Sequence, residues 1–531
     1  LLSFIKQFCY SSDGGNGGEN MKSMLVNRMK LLFMAAAVNS FYFASAVPSQ
    51  DSRLLLAAEI SSHIRQALAD DQRHQTVVMV YLKERANLSG AENMIVKADK
   101  TRFVHGKLLE IAKRTQEGLV QLLKQRGLFF RRFYITNAIA IYNPSLELLE
   151  EISKRTEVDR LSLDPHIARD KTKKTVVPET QSVGGIEPAL RSIGVDKVWS
   201  ELGVKGRGIV IGGQDTGVQF DHPALVRQYR GRNANGSFDH DYNWLDAIFK
   251  RTNKSSKNKC GYATSEPCDD GEHGTHTLGT IVGDDAKGNQ IGLAPEAQWI
   301  ACRNMDDGDG RPSLYIDCFQ FFMAPYKIGG DPFTDGDPSK AAHIINNSWG
   351  CPESEGCEGW EMDEVLKAMK AAGILVVVSA GNEGPSCATM SAQPASHGLS
   401  ALSVGAYDHR FDRIAYFSSR GPTTFDQQVG PDVVAPGVSI RSSVPNNRYE
   451  GGWMGTSMAG PHVAGVAALM WSANPALIGQ VDTTIEIIRR TATPKESSQE
   501  CGGVSGKAIP NAVFGYGVVN AYEAVRSALA R

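Results

Sequence analysis

Beyond about Ile186, short apolar runs alternate with stretches of helical periodicity. Residues 208–213, 299–303, 344–348, 374–380 and 401–406 read as strands, and residues 276–282, 361–372 and 456–471 as helices. A strand that is apolar on both sides leaves no face for water, so the sheet it joins must be covered on both faces. Helices between such strands supply the cover and make the crossovers that parallel strands need. The pattern therefore predicts an α/β domain of three layers with a mostly parallel central sheet, over residues 178–531. No internal repeat competes with that reading.

A different pattern precedes it. Residues 76–82 are rich in β-branched side chains and read as a strand. Residues 91–125 carry Leu108, Leu109, Ile111, Leu119, Leu122 and Leu123 at roughly helical spacing, and Gly127 ends the helix. Residues 129–142 read as one or two strands. Pro144 opens a second helix over 145–154, and 158–167 returns to extended chain. The order β-α-β-α-β predicts a small α+β unit of ferredoxin-like type within residues 47–177. Lys171, Lys173, Lys174, Pro178 and the pair Gly184-Gly185 mark the following segment as an exposed linker, open to proteolysis.

Residues 1–46 read as an upstream extension and a secretory signal. Arg28-Met29-Lys30 is a basic flank, residues 31–43 are mostly apolar, and Ala44-Ser45-Ala46 offers small residues for cleavage. Met21, Met24 and Met29 are alternative starts. No later stretch is apolar for long enough to cross a membrane. Eight of the nine cysteines lie beyond residue 259, an even number that fits disulfides in an exported protein. Cys260/Cys268 and Cys351/Cys357 are close enough to close small loops, and spacing leaves the pairing open. A formal net charge of -2 argues against a nucleic-acid partner.

Four blocks carry chemistry. Residues 210–218 run Val-Ile-Gly-Gly-Gln-Asp-Thr-Gly-Val, an apolar strand ending in the carboxylate of Asp215 and a glycine turn. Strand ends of α/β sheets are where catalytic groups gather. Asp-Thr-Gly also occurs in aspartic proteases, but those need a second triplet. Gly271-Glu272-His273-Gly274-Thr275-His276 sets a histidine at a helix start. Two histidines three apart are also a metal pattern, although HExxH is missing, and His276 fits a packed helix position better. Ser379-Ala380-Gly381-Asn382 delivers an amide at the end of a buried strand, as a turn residue or as a donor to a developing oxyanion. Gly455-Thr456-Ser457-Met458-Ala459 sets one serine among small residues ahead of an apolar helix. There it is either a helix cap or a nucleophile favoured by the helix N-terminus.

In the order Asp, His, Asn, Ser these blocks closely resemble those of the subtilisin-like serine peptidases, or subtilases. The likeness spans about residues 198–525. It implies a secreted serine endopeptidase, made as an autoprocessed zymogen, that cuts protein or peptide substrates through an acyl-enzyme. Asp215 orients His273, His273 is the general base, Ser457 is the nucleophile, and Asn382 with Ser457 forms the oxyanion hole. Ser348, Trp349 and Gly350 match the family's substrate-lining strand, and residues 431–437 a further family signature. The long insertions and cysteine-rich loops resemble the bacillopeptidase F branch. Gln214 and Gly460 depart from common family residues without removing a catalytic group. The resemblance further implies that residues 47–177 are a propeptide acting as an intramolecular inhibitor. It implies a monomer without a stable membrane anchor and no cofactor for the chemistry. Family members commonly hold structural calcium, for which the acidic loops 306–309 and 331–337 supply oxygen ligands. A peptide-binding relative without activity would lack a complete triad, and a serine esterase would carry a G-x-S-x-G elbow.

Overall fold

The computed structural model describes residues 58–71, 75–167, 173–174, 185–249 and 258–531. The signal reading of residues 1–46 lies outside them. The N-terminal part opens with α1 (Ser62–Asp70), whose first turn is capped by Ser61. β1 (Val77–Leu82), α2 (Lys97–Gln125), β2 (Phe130–Phe133), β3 (Ala138–Tyr142), α3 (Leu146–Ser153) and β4 (Val158–Leu163) follow. The sheet is antiparallel in the order β2-β3-β1-β4, so the α+β expectation holds. The long helix begins at Lys97 rather than near residue 91. Ser89–Ala91 forms a separate 3-10 turn, and the exposed Ile95 and Val96 lie outside the helix.

Alternation of side chains along β1 and β3 gives this sheet two apolar faces. Val78, Val80, Ile139 and Ile141 pack beneath Leu119, Leu123, Leu148 and Leu149 of α2 and α3. Val77, Met79, Tyr81, Ala138 and Ala140 belong to a second core shared with the rest of the protein.

That remainder contains β5 (Lys173–Lys174), β6 (Val210–Asp215), β7 (Trp244–Asp246), α4 (His273–Val282), β8 (Gln298–Arg303) and α5 (Pro312–Met323). It continues with β9 (Ile344–Asn347), α6 (Asp363–Ala371), β10 (Leu375–Ser379), β11 (Leu402–Asp408), β12 (Arg413–Ile414) and β13 (Val433–Pro436). Last come β14 (Ile440–Val444), β15 (Arg448–Met454), α7 (Thr456–Ala473), α8 (Val481–Thr491) and α9 (Ala521–Leu529). The central sheet has eight strands in the order β12-β11-β10-β9-β6-β8-β7, with β13 beside β11. All its pairings are parallel except that of the short edge strand β12. One core joins α4, α7, α8 and α9 to one face, and the other lies under α5 and α6. Strands β9, β10 and β11 are buried throughout, as their sequence requires.

Disulfides join Cys260–Cys268, Cys302–Cys318, Cys351–Cys357 and Cys387–Cys501, which accounts for all eight cysteines beyond residue 259. Among the described residues no helix is long and apolar enough to cross a membrane.

The N-terminal sheet docks chiefly on α5. Asp164 accepts from the backbone N–H and hydroxyl of Ser313 at 2.8 and 2.6 Å. Gln320 accepts from the Tyr134 N–H at 2.6 Å, and the Tyr134 hydroxyl donates to the Gln320 carbonyl at 2.9 Å. Arg131 pairs with Asp317.

Candidate active site

Asp215 ends β6, at the carboxyl edge of the sheet. His273 is the first residue of α4, and Glu272 before it takes a left-handed conformation at φ 64. Such strain in a non-glycine residue concentrates at functional turns. Gly274 is needed for the approach, because a Cβ there would run into the Gly217 carbonyl and the Asp215 side chain. The result is a close pair. His273 Nδ1 lies 2.7 and 2.8 Å from the two carboxylate oxygens of Asp215. A carboxylate only accepts, so the proton sits on Nδ1 and Nε2 is left as the basic nitrogen. Asp215 also accepts from the Thr216 N–H at 2.7 Å.

Ser457 is the second residue of α7, which Gly455 opens without a side-chain cap. Its hydroxyl therefore does not serve as the helix cap. It donates to the Ser348 carbonyl at 3.2 Å, while the Ser348 hydroxyl donates to the Ser457 carbonyl at 3.1 Å. Asp215, His273 and Ser457 are 4 %, 5 % and 6 % exposed.

Asn382 follows Gly381, whose φ of 103 turns the chain at the end of β10. The Asn382 amide oxygen accepts from the N–H and hydroxyl of Thr456 at 2.9 and 3.1 Å. Those bonds fix which end of the amide is the oxygen, and so direct the NH2 end away from Thr456. Thr456 is further held by Ser379, whose hydroxyl donates to its carbonyl at 2.9 Å, and by the Gly381 N–H at 3.2 Å. Thr456 is thus a functional neighbour that the motif reading did not single out. Its adjacency to the serine was the only signal in the sequence.

These groups share one cleft of about 580 Å³, which Ser348, Trp349, Gly350, Asn382, His273 and Ser457 all line. Trp349 contributes as a wall, stacked on Tyr315 at 3.8 Å and 7 % exposed. Met305, Tyr315 and Ala392 also line the cleft and carried no sequence signal. A pocket of about 500 Å³ beneath the N-terminal sheet, by Asp71 and Asp164, holds none of the four motif residues.

Two sequence departures have structural answers. Gln214 bonds Asn347 with its amide N–H and accepts from Asn304 at 3.1 Å, so its buried polar ends are matched. Gly460 faces Ser379 and Asn346, where an added Cβ would stand 3.3 and 3.4 Å from their polar atoms. His276 is buried and stacked on Trp453 at 4.3 Å.

Carboxylates of the acidic loops are engaged by the protein's own groups. Asp306 is buried against Arg303 and Asp270, and burial with the neighbouring Asp270 pushes its carboxyl up to about 8. Asp331 accepts from the Phe333 N–H, Asp335 from the Asp331 N–H, and Asp337 from the Ser339 N–H. Among the described residues no cluster of three or more histidines, cysteines or carboxylates is arranged to hold a metal ion.

Residues 206–517 match the family model described as Subtilase family. The chain belongs to the subtilase family. It is 34% identical over 528 residues to bacillopeptidase F of Bacillus subtilis (strain 168), covering 93% of this chain and 34% of that protein. It is 28% identical over 347 residues to the serine protease AprX of the same strain, covering 60% and 66% of the two chains. Against subtilisin E of that strain identity is 35% over 213 residues, covering 40% of this subtilase and 49% of the relative. The chain thus spans about a third of the length of bacillopeptidase F.

Proposed function

We propose that this subtilase is a serine endopeptidase in which Asp215, His273 and Ser457 form the triad, exported as a self-processing zymogen. The observation that carries the reading is the buried Asp215–His273 pair, whose His273 lines the same cleft as Ser457. In the reaction the Ser457 hydroxyl turns from the Ser348 carbonyl to His273 Nε2 and gives up its proton as Oγ attacks the substrate carbonyl. Asp215 holds the resulting imidazolium. The Asn382 NH2 and the Ser457 N–H, at the start of α7, receive the negative oxygen of the tetrahedral intermediate. His273 then returns the proton to the leaving amine, and a water repeats the cycle to release the acyl group.

Export is supported by four disulfides, which persist in oxidising compartments. The zymogen reading is supported by the path of the chain. Ile167 exchanges two backbone hydrogen bonds of 2.9 Å with Gly310 and lines the cleft. Lys173–Lys174 pairs antiparallel with Trp453–Met454, just before the Ser457 helix. The N-terminal unit thus ends in the manner of a substrate strand laid on the cleft's edge, which suits an inhibitor.

The deciding experiment is hydrolysis of fluorescent casein with and without a serine-directed phosphonate, beside a panel of simple esters. Casein cleavage that the phosphonate abolishes supports the reading. Ester cleavage without casein cleavage would point to an esterase, and inactivity on both to a binding protein.

A further inference from the structure

The triad reading leaves open what sets the spacing between the Asp215 strand and the His273 helix, which come from separate parts of the chain. We infer that Asp269 is a positioning residue, whose carboxylate clamps the residue after Asp215 to the first turn of the His273 helix. The inference rests on the triad reading and concerns its geometry.

Four donors converge on this one carboxylate. One oxygen accepts from the Thr216 hydroxyl at 2.7 Å and the Gly271 N–H at 2.9 Å. The other accepts from the Thr275 N–H at 2.9 Å and the Thr275 hydroxyl at 2.5 Å. Thr216 adjoins Asp215, and Thr275 lies two residues beyond His273. The Thr216 hydroxyl in turn accepts from the Gly274 N–H at 3.0 Å, closing a ring of bonds around the Asp215–His273 contact. Thr275 adds a further tie, since its hydroxyl oxygen accepts from the Gln219 N–H at 3.1 Å. Burial pushes the Asp269 carboxyl up, while the bonds from Thr275 and Thr216 favour its charged form.

The next residue anchors the same turn from the other side. Asp270 pairs with the fully buried Arg303 and accepts from the Asp307 N–H at 3.0 Å. Arg303 sits opposite Asp215 in the parallel register of β8 and β6. The two neighbouring carboxylates therefore fasten the turn before His273 to both sides of the strand end that carries Asp215. The Asp269 carboxylate acts on the Asp215–His273 pair through Thr216 and Thr275.

Asparagine at 269 can still accept at one oxygen, but its NH2 end cannot accept from Thr275. The test compares Asp269→Asn, Thr216→Val and the double variant in the full chain, on a chromogenic peptide, with the phosphonate titrating the active fraction. The expected result for Asp269→Asn is a fall in kcat of about 10-fold, KM within about twofold, and a displaced acid limb of kcat/KM, since a misplaced pair changes the basicity of His273. The double variant should fall little beyond Asp269→Asn, because both changes cut one link. Asp269→Ala, which removes every acceptor, should be worse than Asp269→Asn in kcat per titrated site. An unmoved acid limb with wild-type kcat per titrated site would overturn the inference, as would fully additive losses. Failure of the phosphonate to label wild-type Ser457 would instead count against the triad itself.

Discussion

Asn382 is held by its oxygen, and that decides what it can do. With the carbonyl end taken by Thr456, the remaining polar end of the amide is its NH2, a donor and not an acceptor. Such a donor matters most when negative charge develops on the substrate oxygen. Asn382→Leu should therefore lower kcat by about two to three orders of magnitude with KM nearly unchanged, read from steady-state kinetics on a peptide substrate. A large rise in KM at constant kcat would assign the amide to ground-state binding. At this scale the sequence was informative because each of the four motif residues lies at or within three residues of an element's end, where apolar runs meet glycine. Asp269 was not legible in that way. Its partners Thr216 and Thr275 are brought to it by tertiary folding, and no periodicity marks a carboxylate that bridges two segments.

The elements themselves followed from pattern where burial is two-sided. β10 is almost wholly apolar in sequence, and β9, β10 and β11 are buried along their length, with Asn346 and Asn347 among the buried residues of β9. The start of α2 was misread because apolar residues between 91 and 96 extend the helical spacing, whereas Ile95 and Val96 stay exposed outside the helix. Disulfide pairing for Cys302–Cys318 and Cys387–Cys501 was not legible either, since a bond across 114 residues depends on the fold. α4 makes a sharper demand. Its second residue, Gly274, lies against the Gly217 carbonyl, a backbone atom that cannot swing aside. Gly274→Ala should displace α4 and lower kcat/KM by about 100-fold, with a smaller share of molecules titrated by the phosphonate. Wild-type activity in that variant would mean that the helix start is free to move.

Across the whole molecule, burial holds several histidines neutral. His105 in the N-terminal unit and His397 and His462 beyond it are each pushed down to about 4, and His343 to about 3, in every case by burial first. Their folded values lie below the unfolded value of about 6.5. The stability they contribute is therefore complete above that value and lost as pH falls towards 4, by about 1.4 kcal/mol per histidine per pH unit. Thermal unfolding of the full chain carrying Ser457→Ala should show its midpoint falling steeply between pH 6.5 and 4. A flat midpoint there would mean that these rings are not held neutral. The docked N-terminal unit makes a separate prediction. Wild-type secreted protein should begin within or near residues 169–185, whereas Ser457→Ala should keep residues 60–160, as intact mass would read. Retention of those residues by a fully active wild type would contradict the zymogen reading. The most direct test of the account is casein hydrolysis by the Ser457→Ala protein. The account predicts that it is abolished, because Ser457 supplies the oxygen of the acyl intermediate, and a rate near wild type would contradict it.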